Sequence, residues 1–176
     1  MRRAMTLRLA VIWTAALWAA AALAQVPPAL VATGQTAVAT YHAEGAQIYQ
    51  CTAAADGKLS WAFREPVATL LLDQKTVGRH YAGPTWELAD GSAVVGKAAA
   101  NAPGATANDI PWLKLDVVDK HGNGLLANIA TVQRLNTHGG VLQGACDQAG
   151  SFRSVSYSAD YSFLTKESPT GSQKPK

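Results

Sequence analysis

Residues 154–163 read SVSYSADYSF. Val155, Tyr157, Ala159, Tyr161 and Phe163 alternate with Ser154, Ser156, Ser158, Asp160 and Ser162. A period of two puts every apolar group on one face of an extended chain, whereas a helix at about 3.6 residues per turn would scatter them. This stretch is a half-buried strand. IPWLKLDVVD, residues 110–119, repeats the pattern, with Leu113, Leu115 and Val117 on one face and Lys114 and Asp116 on the other. GAQIYQCT (45–52) and KLSWAF (58–63) read as two further strands joined by a turn at Asp56-Gly57.

Turn signals punctuate the whole chain: Glu44-Gly45, Asp56-Gly57, Gly83-Pro84, Asp90-Gly91, Pro103-Gly104, Asn123-Gly124 and Gly139-Gly140. Most neighbours lie roughly 10–15 residues apart, close to the spacing of a sandwich or barrel. The pattern predicts a single-domain, all-β, mainly antiparallel fold, a β-sandwich or partly closed β-barrel with long loops. No long amphipathic helix is evident. EPVATLLLDQ (65–74) allows one or two helical turns after Pro66, and GKAAANAPGATAND (96–109) reads as a long loop bordering a site. In GRHYAGPTWELADGSAVVG (78–96), Asp90-Gly91 predicts a type I′ turn between arms TWEL and SAVVGK. His80, Tyr81, Trp86 and Glu87 have no turn role there.

The N-terminus predicts an address. Arg2, Arg3 and Arg8 precede an apolar run from Leu9 to Leu23, which ends in Ala22-Leu23-Ala24, the small-x-small pattern of a cleavable signal peptide. No Cys follows the cleavage point to carry a lipid. The expected product is exported, periplasmic or extracellular, with no stable membrane anchor after cleavage. The organisation expected is a signal peptide over 1–24, a Pro-containing lead-in over 25–35, a β domain over 36–164 and a disordered tail over 165–176. The chain has 15 basic and 12 acidic side chains, and three of the basic ones lie in the leader. The mature charge is balanced, which argues against nucleic acid as a partner. Cys51 and Cys146 are the only cysteines. In an oxidising compartment they most simply pair as a disulfide.

Several motifs taken together resemble a known family. IYQC, HYAGPTWELADGS, IPWLKLDV, RLNTHGG and VSYSADYSF, in that order, are similar to secreted bacterial and fungal proteins catalogued as domain of unknown function 3455. The resemblance spans roughly residues 27–164 and implies no established activity. Relatives tend to carry an Ala-Pro between Gly140 and Cys146, where this chain has VLQGA.

Some fungal relatives bear a malate dehydrogenase label, and GNGLLA (122–127) fits the loose form of a dinucleotide loop. That motif binds a cofactor only between a strand and a helix of a β-α-β unit. Here it lies between KLDVVDKH and NIATVQRL, two strand-like runs, with Asn123-Gly124 as a hairpin signal. No cofactor is expected. His42, His80, His121 and His138 show no ligand spacing. A metal site would have to be assembled from distant strands, from His80 and His138 with Glu87 or Asp90, and none is expected. No G-x-S-x-G elbow is present. Glu87 with Asp90 as paired carboxylates, or Ser92 near His80, are the other catalytic arrangements the sequence allows. The reading favoured is a non-catalytic binding module for a carbohydrate or small ligand. Its candidate residues are the aromatics Tyr81, Trp86 and Trp112, with His80, Glu87, Asn136 and His138 as polar partners. The alternative is a hydrolase or metal-assisted enzyme around His80, Glu87 and His138.

Overall fold

The computed structural model describes residues 25–167. The signal peptide expected over 1–24 and the tail from residue 168 onward lie outside the described residues. Eight strands follow one another: β1 (Gln35–Ala53), β2 (Leu59–Leu72), β3 (Lys75–Tyr81), β4 (Thr85–Leu88), β5 (Ala93–Ala102), β6 (Trp112–His121), β7 (Thr131–Gly139) and β8 (Phe152–Lys166). Each pairs antiparallel with the next, and β8 returns to pair with β1, so the sheet closes into a barrel. Closure removes the outer edges of the sheet, one of the ways an antiparallel sheet avoids edge-to-edge association. One-sided stretches remain, among them the first half of β2 and the second half of β5. The sandwich alternative is thereby ruled out.

The alternation read from the sequence sets the two faces of the wall. Tyr157, Ala159, Tyr161 and Phe163 of β8 point inward and are buried, and Ser154 and Ser156 face out. On β6 Leu113 and Leu115 point inward, Leu113 opposite Arg134 and Leu115 opposite Val132 of β7. One row of inward neighbours runs Gly45, Ala68, His80, Trp86, Val94 from β1 to β5. Small residues in it make room for the two large rings. Gly45 is not a turn: β1 runs through it, and a side chain there would collide with the Val67 carbonyl and Ala68 of β2.

Four other local expectations change. EPVATLLLDQ forms no helical turn, because it lies almost wholly within β2, where both neighbouring strands claim its backbone. Pro66, which cannot donate to a ladder, sits beside the one bulge in the β1–β2 register. GKAAANAPGATAND is strand as far as Ala102, since β6, the next strand, pairs with its weakly strand-forming alanines; only the part from Pro103 onward is loop. At the β4–β5 corner Gly91 has φ +81° but Asp90 does not have a positive φ, and Gly91 N donates to Leu88 O at 3.0 Å. That is a three-residue loop ending in a left-handed glycine, not a type I′ turn. The two-positive-φ turn lies instead at Asp73-Gln74, between β2 and β3. Thr165 and Lys166, placed by sequence in the tail, complete β8 opposite Thr36 and Gln35.

One end of the barrel is filled. Leu126 and Ile129, from a 3-10 turn at Leu125–Asn128 and the residue after it, pack into the same core as Leu70, Val94, Val132 and Phe163. Asp90 fixes that plug: it accepts from Ser92 N (2.8 Å), Ser92 Oγ (2.6 Å) and Leu125 N (2.8 Å), and Ser92 Oγ accepts from Leu126 N at 3.2 Å. GNGLLA is therefore a loop and plug between antiparallel strands. The lead-in places Leu30, fully buried, near β5, with its carbonyl accepting from Gln133 Nε2 at 2.6 Å. At the other end Cys51 and Cys146 form a disulfide across 95 residues of sequence, tying the β7–β8 loop to the end of β1.

Candidate functional site

Strands β3 and β4 sort most of the sequence candidates. His80 lies opposite Trp86, and Arg79 opposite Glu87. Successive strand residues point to opposite faces, so His80 and Trp86 enter the barrel while Arg79, Tyr81 and Glu87 lie on its outer wall. Outside, Glu87 accepts from Arg79 Nη2 at 2.8 Å and from Tyr81 Oη at 2.8 Å. These partners, Arg79 foremost, hold its carboxyl below the usual range. Glu87 is occupied by a surface pair.

Inside, the His80 and Trp86 rings stack with centroids 4.5 Å apart and planes inclined by 10°. Tyr161 closes against both, at 4.9 Å from His80 and 5.3 Å from Trp86. His80 Nδ1 lies 2.8 Å from the Thr85 carbonyl, so that nitrogen carries the proton and the other ring nitrogen an open lone pair. Burial pushes the imidazole down to about 3, with the Arg134 charge adding to the effect and the Thr85 carbonyl opposing it. His80 is a neutral imidazole at physiological pH. A group that weakly basic is poorly matched to general-base work near neutrality.

The remaining candidates disperse. Asn136 Nδ2 donates to Asp160 Oδ2 at 2.8 Å on the outer wall, and His138 is exposed opposite Ser158. Trp112, half-buried at the start of β6, does not line the cavity. His80, Glu87 and His138 therefore do not meet, and neither do His80 and Asp90. Among the described residues no three His, Cys, Asp or Glu side chains gather as a metal site.

What His80, Trp86 and Tyr161 do line is a cavity of about 450 Å³ in the mouth of the barrel, beside the Gly83-Pro84 and Ile110-Pro111 corners. Tyr49, Phe63, Pro66, Leu113 and Leu115 supply apolar wall. Gln47 is 2 % exposed, and its Nε2 has no hydrogen-bond partner; the same is true of the Trp86 indole Nε1. Arg134 Nε and Nη2 donate to the Pro111 carbonyl at 3.0 and 2.8 Å. A guanidinium has five N–H donors, so this leaves others available. No ion pair with Arg134 occurs among the described residues, and the cavity lining contains neither Asp nor Glu. Arg64, at the rim, is paired with Glu65 at 3.1 Å. The site is mostly apolar, with Gln47, His80, Trp86 and Arg134 as polar residues among its walls.

Gln47, Tyr49, Arg134 and Tyr161 were not among the sequence candidates. The signal for Gln47 lay in its parity: it shares a face with Gly45 and Tyr49, an inward polar side chain between inward neighbours. Arg134 follows Val132 on the inner face in the same way.

No match was found among curated proteins or among solved structures. A family profile described as protein of unknown function (DUF3455) matches residues 32–76 and 71–165, and the chain belongs to that family.

Proposed function

We propose that this domain is an exported, non-catalytic binding module that takes one small, mostly apolar ligand into the mouth of its barrel. The observation that carries the reading is a cavity of about 450 Å³ two of whose lining residues, Gln47 and Trp86, each hold a buried donor without a partner. A buried donor without an acceptor costs about 1–3 kcal/mol, and a ligand acceptor would relieve that cost on binding. The volume, about 450 Å³, suits a small organic molecule, and barrel mouths are frequent ligand sites. The disulfide is compatible with export, and no helix among the described residues is long and apolar enough to cross a membrane. The hydrolase reading has no supporting geometry, since Glu87 and His138 lie outside the wall that His80 enters.

The test is saturable uptake of a neutral apolar dye such as N-phenyl-1-naphthylamine. One dye per chain is expected, with energy transfer from Trp86. Ala98→Trp, at an exposed position on the cavity lining, should obstruct uptake and leave the fold intact. Absence of saturable binding, or binding that Ala98→Trp does not weaken, would reject the reading.

A further inference from the structure

We infer that the ligand is a monocarboxylate with an apolar body, its carboxylate held by Arg134, Gln47 and Trp86. This rests on the binding reading above and adds the ligand's chemistry. The cavity's polar groups are unequal in kind. Arg134 offers a guanidinium that cannot accept a hydrogen bond, Trp86 Nε1 is a donor only, and the unsatisfied atom of Gln47 is its Nε2, also a donor. These three call for a ligand group that accepts; the open His80 Nε2, an acceptor on the same lining, is neutral and leaves the charge of Arg134 unmet. Sugar hydroxyls can donate to His80 Nε2, but they bring no charge to meet Arg134, and the lining has no carboxylate to bind them by charge-assisted bonds.

Charge narrows the class. Arg134 is the one cation on the lining without an ion-pair partner among the described residues, because Arg64 is engaged by Glu65. A single anionic charge matches it, whereas a dianionic phosphate monoester would bring a second charge into an apolar chamber with nothing to meet it. A guanidinium also presents parallel N–H groups that suit the two oxygens of a carboxylate. The Ile110-Pro111 corner brings Arg134 and Gln47 to one side. Arg134 donates to Pro111 O, and a side chain placed at Gly140 would touch Ile110 Cγ2 at 2.9 Å and Gln47 Cγ at 3.1 Å. The apolar body then lies along Tyr49, Phe63, Pro66 and Leu113, toward the rim.

Displacement of bound N-phenyl-1-naphthylamine by decanoate and by decanol, which differ only in the head group, tests the assignment. Decanoate should compete at least about tenfold better than decanol, the scale of one charge-assisted hydrogen bond. Arg134→Gln and Gln47→Leu should each shrink that ratio toward one. If loss of the Pro111 bonds prevents Arg134→Gln from folding, Gln47→Leu carries the same readout. Equal competition by the two compounds, or a ratio that survives both variants, overturns the carboxylate assignment and leaves an apolar cavity of another preference. Failure of the dye itself to bind saturably overturns the binding reading beneath it.

Discussion

Strands β2, β5, β7 and β8 each contribute inward residues to both ends of the barrel. At the plugged end these are Leu70, Val94, Val132 and Phe163, and at the open end Pro66, Ala98, Arg134 and Tyr161. Pairing thins toward the open end, where the β2–β3 and β4–β5 pairs stop at Ala68 and Val95, short of Pro66 and Ala98, but it does not decide what fills either end. Side-chain choice does. Aliphatic groups at the first set interdigitate with Leu126 and Ile129, and the polar groups beside them, Asp90 and Ser92, have their partners. At the second set, small and ring-shaped residues leave a chamber, and Gln47 and Trp86 keep donors unspent. On the proposed reading, stability and recognition are divided between the ends.

The largest effect should come from the cross-link that steadies the open end. Removing Cys51 and Cys146 together, as Cys51→Ala with Cys146→Ala, frees a loop of 95 residues, worth about 4–5 kcal/mol on the chain-entropy view. Thermal melting should fall by about 10–20 °C. Hydrogen exchange should accelerate most in residues 140–151, by local opening, beyond the common loss that lower global stability imposes on the strands around Phe163. A drop of only a few degrees, or uniform acceleration at both ends, would break the division drawn here.

Next is the pH response of the open end. In the unfolded chain His80 takes up a proton near pH 6.5, and in the fold only near 3. Between those values the unfolded state binds more protons, so stability is complete above about 6.5 and declines as pH falls. The slope is about 1.4 kcal/mol per pH unit, hence about 2–3 kcal/mol between pH 6.5 and 4.5. Urea denaturation across that range should show this loss in the wild type. In His80→Asn, which keeps a side-chain donor for the Thr85 carbonyl but cannot titrate, the slope should flatten by about one proton. An unchanged slope would mean that His80 is not buried as a neutral ring.

These two properties differ in how far the sequence announced them. Pairing of Cys51 with Cys146 followed from count and compartment, and the inward face of β8 from its alternating serines. Closure did not, since a β8–β1 pair between residues more than a hundred positions apart leaves no local mark. The cavity was half legible. His80 and Trp86 were identified because no turn required them, and their neighbours Tyr81 and Glu87 were grouped with them because sequence proximity hides the face on which a strand residue points. Arg134 and Gln47 were missed for the opposite reason. Each lies within an alternating strand but breaks the apolar pattern of its inward face, and the polar residue on a buried face was the informative one.

At the plugged end, Asp90→Ala removes the acceptor for Ser92 and for Leu125 N, so the turn bearing Leu126 loses its anchor. A cost of about 1–2 kcal/mol is expected, with dye binding in the mouth unchanged. Loss of dye binding at full retention of stability would show that the ends are coupled rather than divided.

The smallest change expected is the one that separates the ends most sharply. Gln47 is buried, its Nε2 has no partner, and its side chain faces Pro66 across the β1–β2 pair. Gln47→Leu has similar volume and removes an unsatisfied donor from an apolar setting, so stability should hold or rise, by about 1 kcal/mol at most. Phe163→Ala, an inward residue of the plugged end, should instead cost about 3–5 kcal/mol for the cavity it opens. A gain in stability joined to a loss of carboxylate preference would mark Gln47 as a residue kept for recognition at the fold's expense. Destabilisation by Gln47→Leu comparable to a core truncation would mean that the carboxamide is structural, and that the open end is held together by the same kind of satisfied contacts as the plug.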